Sequence, residues 1–170
     1  MTVSFLPVPR GVYPSISHID PQALAAKGIK LVLADLDNTL VPYKVPEPTA
    51  EVFAWKQALE AAGIELFLLS NSRKPTRPKH FAETLGIDFI GHAGKPKKGG
   101  YLRALEMTGC TVDQVVMVGD QIFTDTLGAC RMGIVPLLVE PIRLAGNPGR
   151  YIRYAVETPF RAIGRRRAFV

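Results

Sequence analysis

Short apolar runs alternate along this chain with amphipathic stretches that stop at a glycine, and this alternation limits the possible folds more than any other feature. Ile29–Leu36 reads as a buried strand, and Pro48–Ala62 as a helix with Val52, Trp55, Leu59 and Ala62 on one stripe and Gly63 as its stop. Ile64–Leu69 predicts a second strand, Pro75–Leu85 a helix ended by Gly86, and Asp88–Ile90 a short strand. Lys98–Met107 predicts a helix closed by Gly109, Val115–Val118 a strand, Thr124–Met132 a helix ended by Gly133, and Ile134–Val139 a last strand. Strands that alternate with helices imply an α/β fold in three layers, with a mostly parallel sheet between helices. Such sheets bind ligands beyond the carboxyl ends of their strands.

At 170 residues the chain is long enough for one ordinary core. A core of residues 1–140 with a proline-rich start is expected, followed by a basic tail over 141–170. Residues 1–20 read as irregular and Pro141–Gly149 as a linker. The tail reads as two short helices, Arg150–Val156 and a second capped by Thr158 with Pro159 at its first position. No apolar run reaches the ~18 residues of a membrane span, and the start lacks the pattern of a signal peptide. A cytoplasmic location is expected. Cys110 and Cys130 read as buried free thiols, and His18, His80 and His92 lack metal-ligand spacing.

Four segments fall at equivalent strand ends. They are Asp35-Leu36-Asp37-Asn38-Thr39-Leu40, Leu69-Ser70-Asn71-Ser72, Lys95-Pro96, and Gly119-Asp120 through Asp125. Each alone is an ordinary turn or cap signal; together they describe a phosphotransfer site. Such chemistry needs an in-line nucleophile, neutralised phosphate oxygens and a proton for the leaving group. Asp35 is placed to attack, and Asp37, two residues on, to protonate the leaving oxygen. Carboxylates beside a phosphate repel it unless a cation intervenes. A hard, oxygen-seeking Mg²⁺ answers that need, with Asp120 completing its ligands. Asp125 would be a further ligand or an acceptor for metal-bound water. Ser70, Asn71 and the amides around Asn38 would hydrogen-bond the phosphate, and Lys95 would neutralise it and orient Asp35.

These residues resemble the haloacid dehalogenase (HAD) superfamily, whose pattern is Asp-x-Asp-x-Thr, a strand-end Ser or Thr, a Lys, and Gly-Asp with a trailing Asp. The resemblance implies a Rossmann-like HAD fold, an aspartyl-phosphate on Asp35, and Asp37 as an acid/base that also offers its carbonyl oxygen to Mg²⁺. An acid at Asp37 fits phosphatases or phosphomutases rather than dehalogenases. The gaps from Asp37 to Ser70 and from Ser70 to Lys95 each hold about one helix and one strand, so no cap domain is expected over the site. More narrowly, the chain looks like the YqeG-type phosphatases of subfamily IIIA, kin of the mitochondrial phosphatidylglycerophosphatase. That resemblance implies dephosphorylation of phosphatidylglycerophosphate. A capless phosphatase for a soluble or polynucleotide phosphate is the alternative.

The net charge of +6 sits entirely in the tail, where seven arginines face Glu157 alone. Ile152, Val156, Phe160 and Ile163 recur near one helical turn, flanked by Arg150, Arg153, Arg161, Arg165, Arg166 and Arg167. An apolar stripe beside arginines suits the anionic inner face of a membrane, with a helix packed on its own domain and contact with a nucleic acid as the alternatives.

Overall fold

The computed structural model describes residues 6–144 and 148–170. Residues 1–5, in the proline-rich start, and 145–147, in the expected linker, lie outside the described residues. Among the described residues six strands form one sheet: β1 (Val12–Tyr13), β2 (Leu31–Ala34), β3 (Glu65–Leu69), β4 (Asp88–Ile90), β5 (Val115–Gly119) and β6 (Val135–Val139). Their order across the sheet is β1-β6-β5-β2-β3-β4, and every pairing is parallel. Among the described residues six α-helices accompany them: α1 (Pro21–Ala26), α2 (Ala50–Ala61), α3 (Thr76–Leu85), α4 (Lys98–Thr108), α5 (Leu127–Met132) and α6 (Pro148–Arg165). The connections β2–β3 and β3–β4 each hold a single helix, α2 and α3.

The central strands are apolar on both faces because helices cover both. Val32 and Ala34 of β2, Leu66 and Leu68 of β3, and Val116 and Val118 of β5 join one core with α1, α2 and α3. The intervening Leu31, Leu33, Phe67, Leu69, Val115 and Met117 join a second core with α4 and α5. This is the two-residue alternation of pleated backbone. In α2, Val52, Trp55 and Leu59 are the buried stripe, and the Thr49 hydroxyl accepts from the Val52 N–H at 3.3 Å to cap it. Left-handed Gly86 and Gly133 end α3 and α5, where a side chain would be strained.

The ends differ from the sequence expectation. Val12–Tyr13 is an edge strand on β6, and α1 follows it, capped by the Asp20 carboxylate. The expected helix at Thr124 starts with a wide π-type turn, Ile122–Thr126, before α5. The two expected tail helices are one continuous helix through Pro159. That proline lies on the exposed side, beyond the first helical turn where its missing N–H costs nothing. Gly164 lets α6 approach the N-terminal segment, since a Cβ there would stand 2.5 Å from Pro9 Cγ and 2.9 Å from Val12 Cγ2. Cys130 is buried, and Cys110 is half-buried.

Candidate active site

Strands β2 and β5 lie side by side, with β3 and β4 beyond one and β6 and β1 beyond the other. The crevice at their carboxyl ends is the switch point of the sheet. Asp35 follows β2 directly, and its N–H continues the ladder to Val118 O at 2.9 Å. Asp120 follows β5. Both therefore sit on rigid backbone at the same edge.

Oxygens of Asp35, Asp120 and Asp125 lie within 4.8 Å of one another, all in buried side chains. Lys95 is buried between two of them, 2.8 Å from Asp35 Oδ1 and 2.7 Å from Asp125 Oδ1. Burial alone would depress the Lys95 ammonium, but Asp125 and Asp35 outweigh it and hold its pKa above the usual lysine value. Burial, reinforced by Asp35 and Asp125, pushes the Asp120 carboxyl well above the usual range. Burial also pushes Asp125 up to about 6, with Lys95 pulling against it. Carboxylates facing each other in a dry site with one ammonium are short of positive charge. The donors are all oxygen, which fits a hard divalent cation such as Mg²⁺. Asp125 stands in this cluster beside Asp35 and Asp120.

Neighbours fix the cluster. The Gln121 N–H donates to Asp125 Oδ2 at 3.2 Å, and Tyr101 Oη donates to Asp125 O at 3.1 Å. A Cβ on Gly119 would collide with the Asp125 carboxyl, so only glycine fits before Asp120. Thr39 Oγ1 donates to Asp120 Oδ1 at 3.4 Å.

The other expected residues divide. Ser70 is buried on the cavity wall; its Oγ accepts from the Ser72 N–H at 3.1 Å, which leaves its hydroxyl proton for a ligand. Asn71 also lines the cavity, but its amide is engaged with Lys95: Nδ2 donates to Lys95 O at 2.9 Å, and Oδ1 accepts from Lys95 N at 2.8 Å. It joins the second and third segments. Asn38 shapes the turn after Asp37 at φ 63°, its N–H donating to Val41 O at 2.7 Å and its Oδ1 accepting from Tyr43 N at 3.3 Å. Those two groups are spent on the turn rather than turned to a phosphate.

Asp37 lines the cavity with its carboxylate outside the three-acid cluster, 2.5 Å from Arg77 Nη1. Burial raises its pKa above the usual value, against Arg77 and with Asp35. A carboxyl kept protonated longer than usual suits a proton donor. Arg77 escaped the sequence reading. The available signal was a cation in the first turn of α3, where the helix dipole disfavours one. Arg77 Nη2 also donates to Val45 O at 2.9 Å.

Glu157 and Arg161 of α6 were missed too. Glu157 Oε1 accepts from the Ile122 N–H at 2.8 Å and the Phe123 N–H at 3.4 Å. Arg161 pairs with Glu157 at 3.1 Å and Glu140 at 3.3 Å, and donates to the Asp120 carbonyl. Both are only 1% exposed, so Arg161 is part of the site's frame and not of a basic surface. The spacing of four between an isolated acid and an arginine was the signal. Phe160 likewise turns inward from the expected stripe, edge-on to Phe123 at 5.7 Å.

Asp35, Asp37 and Asp125 open on a cavity of about 690 Å³, with Ser70 and Lys95 also in its wall and Tyr43, Arg73 and Arg150 among its other residues. An acidic hollow of about 470 Å³ near Glu65 and Asp88 lies at the amino ends of β3 and β4, away from this chemistry.

Clustered carboxylates and a buried lysine thus stand together at the switch point of a parallel sheet. The chain belongs to the haloacid dehalogenase-like hydrolase family, whose model matches residues 43–133. Within that family it is a phosphatase. It is 36% identical over 140 residues to the probable phosphatase YqeG of Bacillus subtilis, covering 82% of this chain and 80% of that one. It is 34% identical over 152 residues to the chloroplastic phosphatidylglycerophosphate phosphatase 1 of Chlamydomonas reinhardtii, covering 84% of this chain and 56% of that one. This chain thus spans little more than half of the algal protein. In fold it is similar to a putative 3-deoxy-D-manno-octulosonate 8-phosphate phosphatase from Vibrio cholerae, with a TM-score of 0.53, 20% identity, and 88% and 92% of the two chains covered.

Proposed function

We propose that this phosphatase removes the terminal phosphate of phosphatidylglycerophosphate with Mg²⁺, through a phosphorylated Asp35. The observation that carries the reading is Asp35 Oδ1 held 2.8 Å from buried Lys95 at an open cavity. The names of the algal relative and of a 30% identical phosphatidylglycerophosphate phosphatase 1 from Arabidopsis thaliana support the substrate.

An oxygen of Asp35 attacks phosphorus as the bond from phosphorus to the glycerol oxygen breaks, and Asp37 gives that oxygen its proton. Water then attacks the phosphorus of the aspartyl-phosphate, Asp37 takes the proton, and Asp35 and inorganic phosphate are released. Mg²⁺ on Asp35, Asp120 and Asp125, with the Asp37 carbonyl, would offset the phosphate charge beside these acids. Lys95 holds Asp35 in place through their 2.8 Å ion pair, and Ser70 donates its hydroxyl proton to a phosphate oxygen.

A lipid substrate calls for contact with a bilayer, and α6 has a surface suited to it. Ile152, Val156 and Ile163 are exposed on the side opposite buried Glu157 and Arg161, with Arg166 nearby. Apolar groups beside arginines favour peripheral binding to anionic lipid. Among the described residues no helix is long and apolar enough to cross a membrane.

Phosphate release from phosphatidylglycerophosphate in mixed micelles, measured beside nucleotides and sugar phosphates, tests the substrate. A kcat/KM for the lipid well above all the soluble phosphates is expected. Preference for a nucleotide or sugar phosphate would overturn it.

A further inference from the structure

The cavity before Asp35 carries more positive charge than one phosphoryl group requires. Six cationic side chains line it: Lys44, Arg73, Lys74, Arg77, Lys95 and Arg150. Lys95 and Arg77 are committed to the reacting carboxylates. Among the described residues, none of the other four has a carboxylate within ion-pair distance.

Those four come from three separate parts of the chain. Lys44 follows the turn after Asp37, Arg73 and Lys74 follow β3, and Arg150 opens α6. Tyr43 draws two of them together: the Arg150 guanidinium lies 4.7 Å and the Lys44 ammonium 5.9 Å from the centre of its ring. Cations that line one cavity repel one another until an anion lies between them. The cavity, about 690 Å³, falls within the roughly 300–1,000 Å³ of pockets that hold whole small molecules, far beyond a lone phosphoryl group.

We infer that Lys44, Arg73, Lys74 and Arg150 form a second anion subsite, which holds a non-reacting phosphodiester while the monoester lies against Asp35. The inference rests on the phosphatase reading and narrows the substrate to a monoester with a phosphodiester a short linker away. Arginine presents paired N–H donors to such a group, and a hydrogen bond to a charged partner is worth about tenfold to hundredfold in binding.

The test compares two water-soluble substrates without acyl chains. Glycerophosphoglycerophosphate carries the monoester and the diester, and glycerol phosphate carries the monoester alone. The wild type should favour the first by at least about tenfold in kcat/KM, mostly through KM. If turnover is slow, the same ratio is read from their competition with p-nitrophenyl phosphate. The triple variant Lys44→Ala, Arg73→Ala, Lys74→Ala changes exposed residues only, and Arg150→Ala changes the subsite from α6. Each should bring the ratio toward one, with the unfolding midpoint kept as a control. A wild-type ratio near one, or a ratio unmoved in both variants, overturns the subsite. Head-group preference without turnover of the micellar lipid supports the subsite and overturns the lipid substrate. Lipid turnover without head-group preference does the reverse.

Discussion

Arg161 donates to the main-chain carbonyl of Asp120, 41 residues earlier in the chain, and so ties α6 to the loop that carries a clustered acid. Glu157 holds the same loop by the Ile122 N–H at 2.8 Å. The basic tail therefore has an inner face that frames the site.

Arg161→Met should leave buried Glu157 without its cationic partner. Breaking a buried pair costs about 3–5 kcal/mol, which lowers the unfolding midpoint by roughly 10 °C in a chain this size. The concentration of Mg²⁺ for half-maximal activity should rise as Asp120 loosens. Thermal unfolding and a Mg²⁺ titration check both. A lower midpoint with an unchanged Mg²⁺ requirement would confine the clamp to stability.

Asp37→Asn should fold normally yet lose about 10²–10⁴ in kcat on an alkyl phosphate, whose leaving oxygen needs a proton. The loss should be much smaller on p-nitrophenyl phosphate, because nitrophenolate leaves without one. Equal losses on both substrates would remove Asp37 from the proton-donor role.

Chelation should abolish activity, and Mg²⁺ should restore it. Ca²⁺ should inhibit, since its looser coordination can draw in both oxygens of a carboxylate and spoil the attack by Asp35. Mg²⁺ at a hundred times its Kd should stabilise the fold by about 2.7 kcal/mol, or roughly 5–10 °C. A melting curve unmoved by Mg²⁺ would count against the acid cluster as a metal site.

Much of this was legible because strand ends are. The apolar runs placed the central strands, so Asp35, Ser70 and Asp120 fell at the edge where the sheet puts them. Lys95 and Asp125 followed from the same order. What escaped depends on contacts between distant segments. Nothing local to α3 says that Arg77 reaches Asp37. Composition made the tail look uniformly basic, while packing put Arg161 inside and paired Arg165 with Glu140 at 2.6 Å. No local pattern announces that Asn38 shapes the turn after Asp37 or that the Asn71 amide ties down the Lys95 backbone. The edge strand Val12–Tyr13 is too short for periodicity to reveal.

Membrane binding should therefore be tested on the outer face of α6 and the exposed residues just after it. Arg166→Glu, Arg167→Glu and Ile152→Ser all alter exposed residues, unlike Arg161. Each basic residue near an anionic surface contributes about 1 kcal/mol, so the triple variant should pellet far less with phosphatidylglycerol vesicles at low salt. Equal pelleting would assign the arginines to another partner.

Phosphorylation of Asp35 is the most direct test of all. Enzyme mixed with ³²P-labelled substrate and quenched in acid within one turnover should retain label that hydroxylamine releases. Borohydride reduction of the quenched protein should mark position 35 in peptide mass spectra, and Asp35→Asn should give neither signal. Rapid turnover without any trapped label, or label at another residue, would contradict the account.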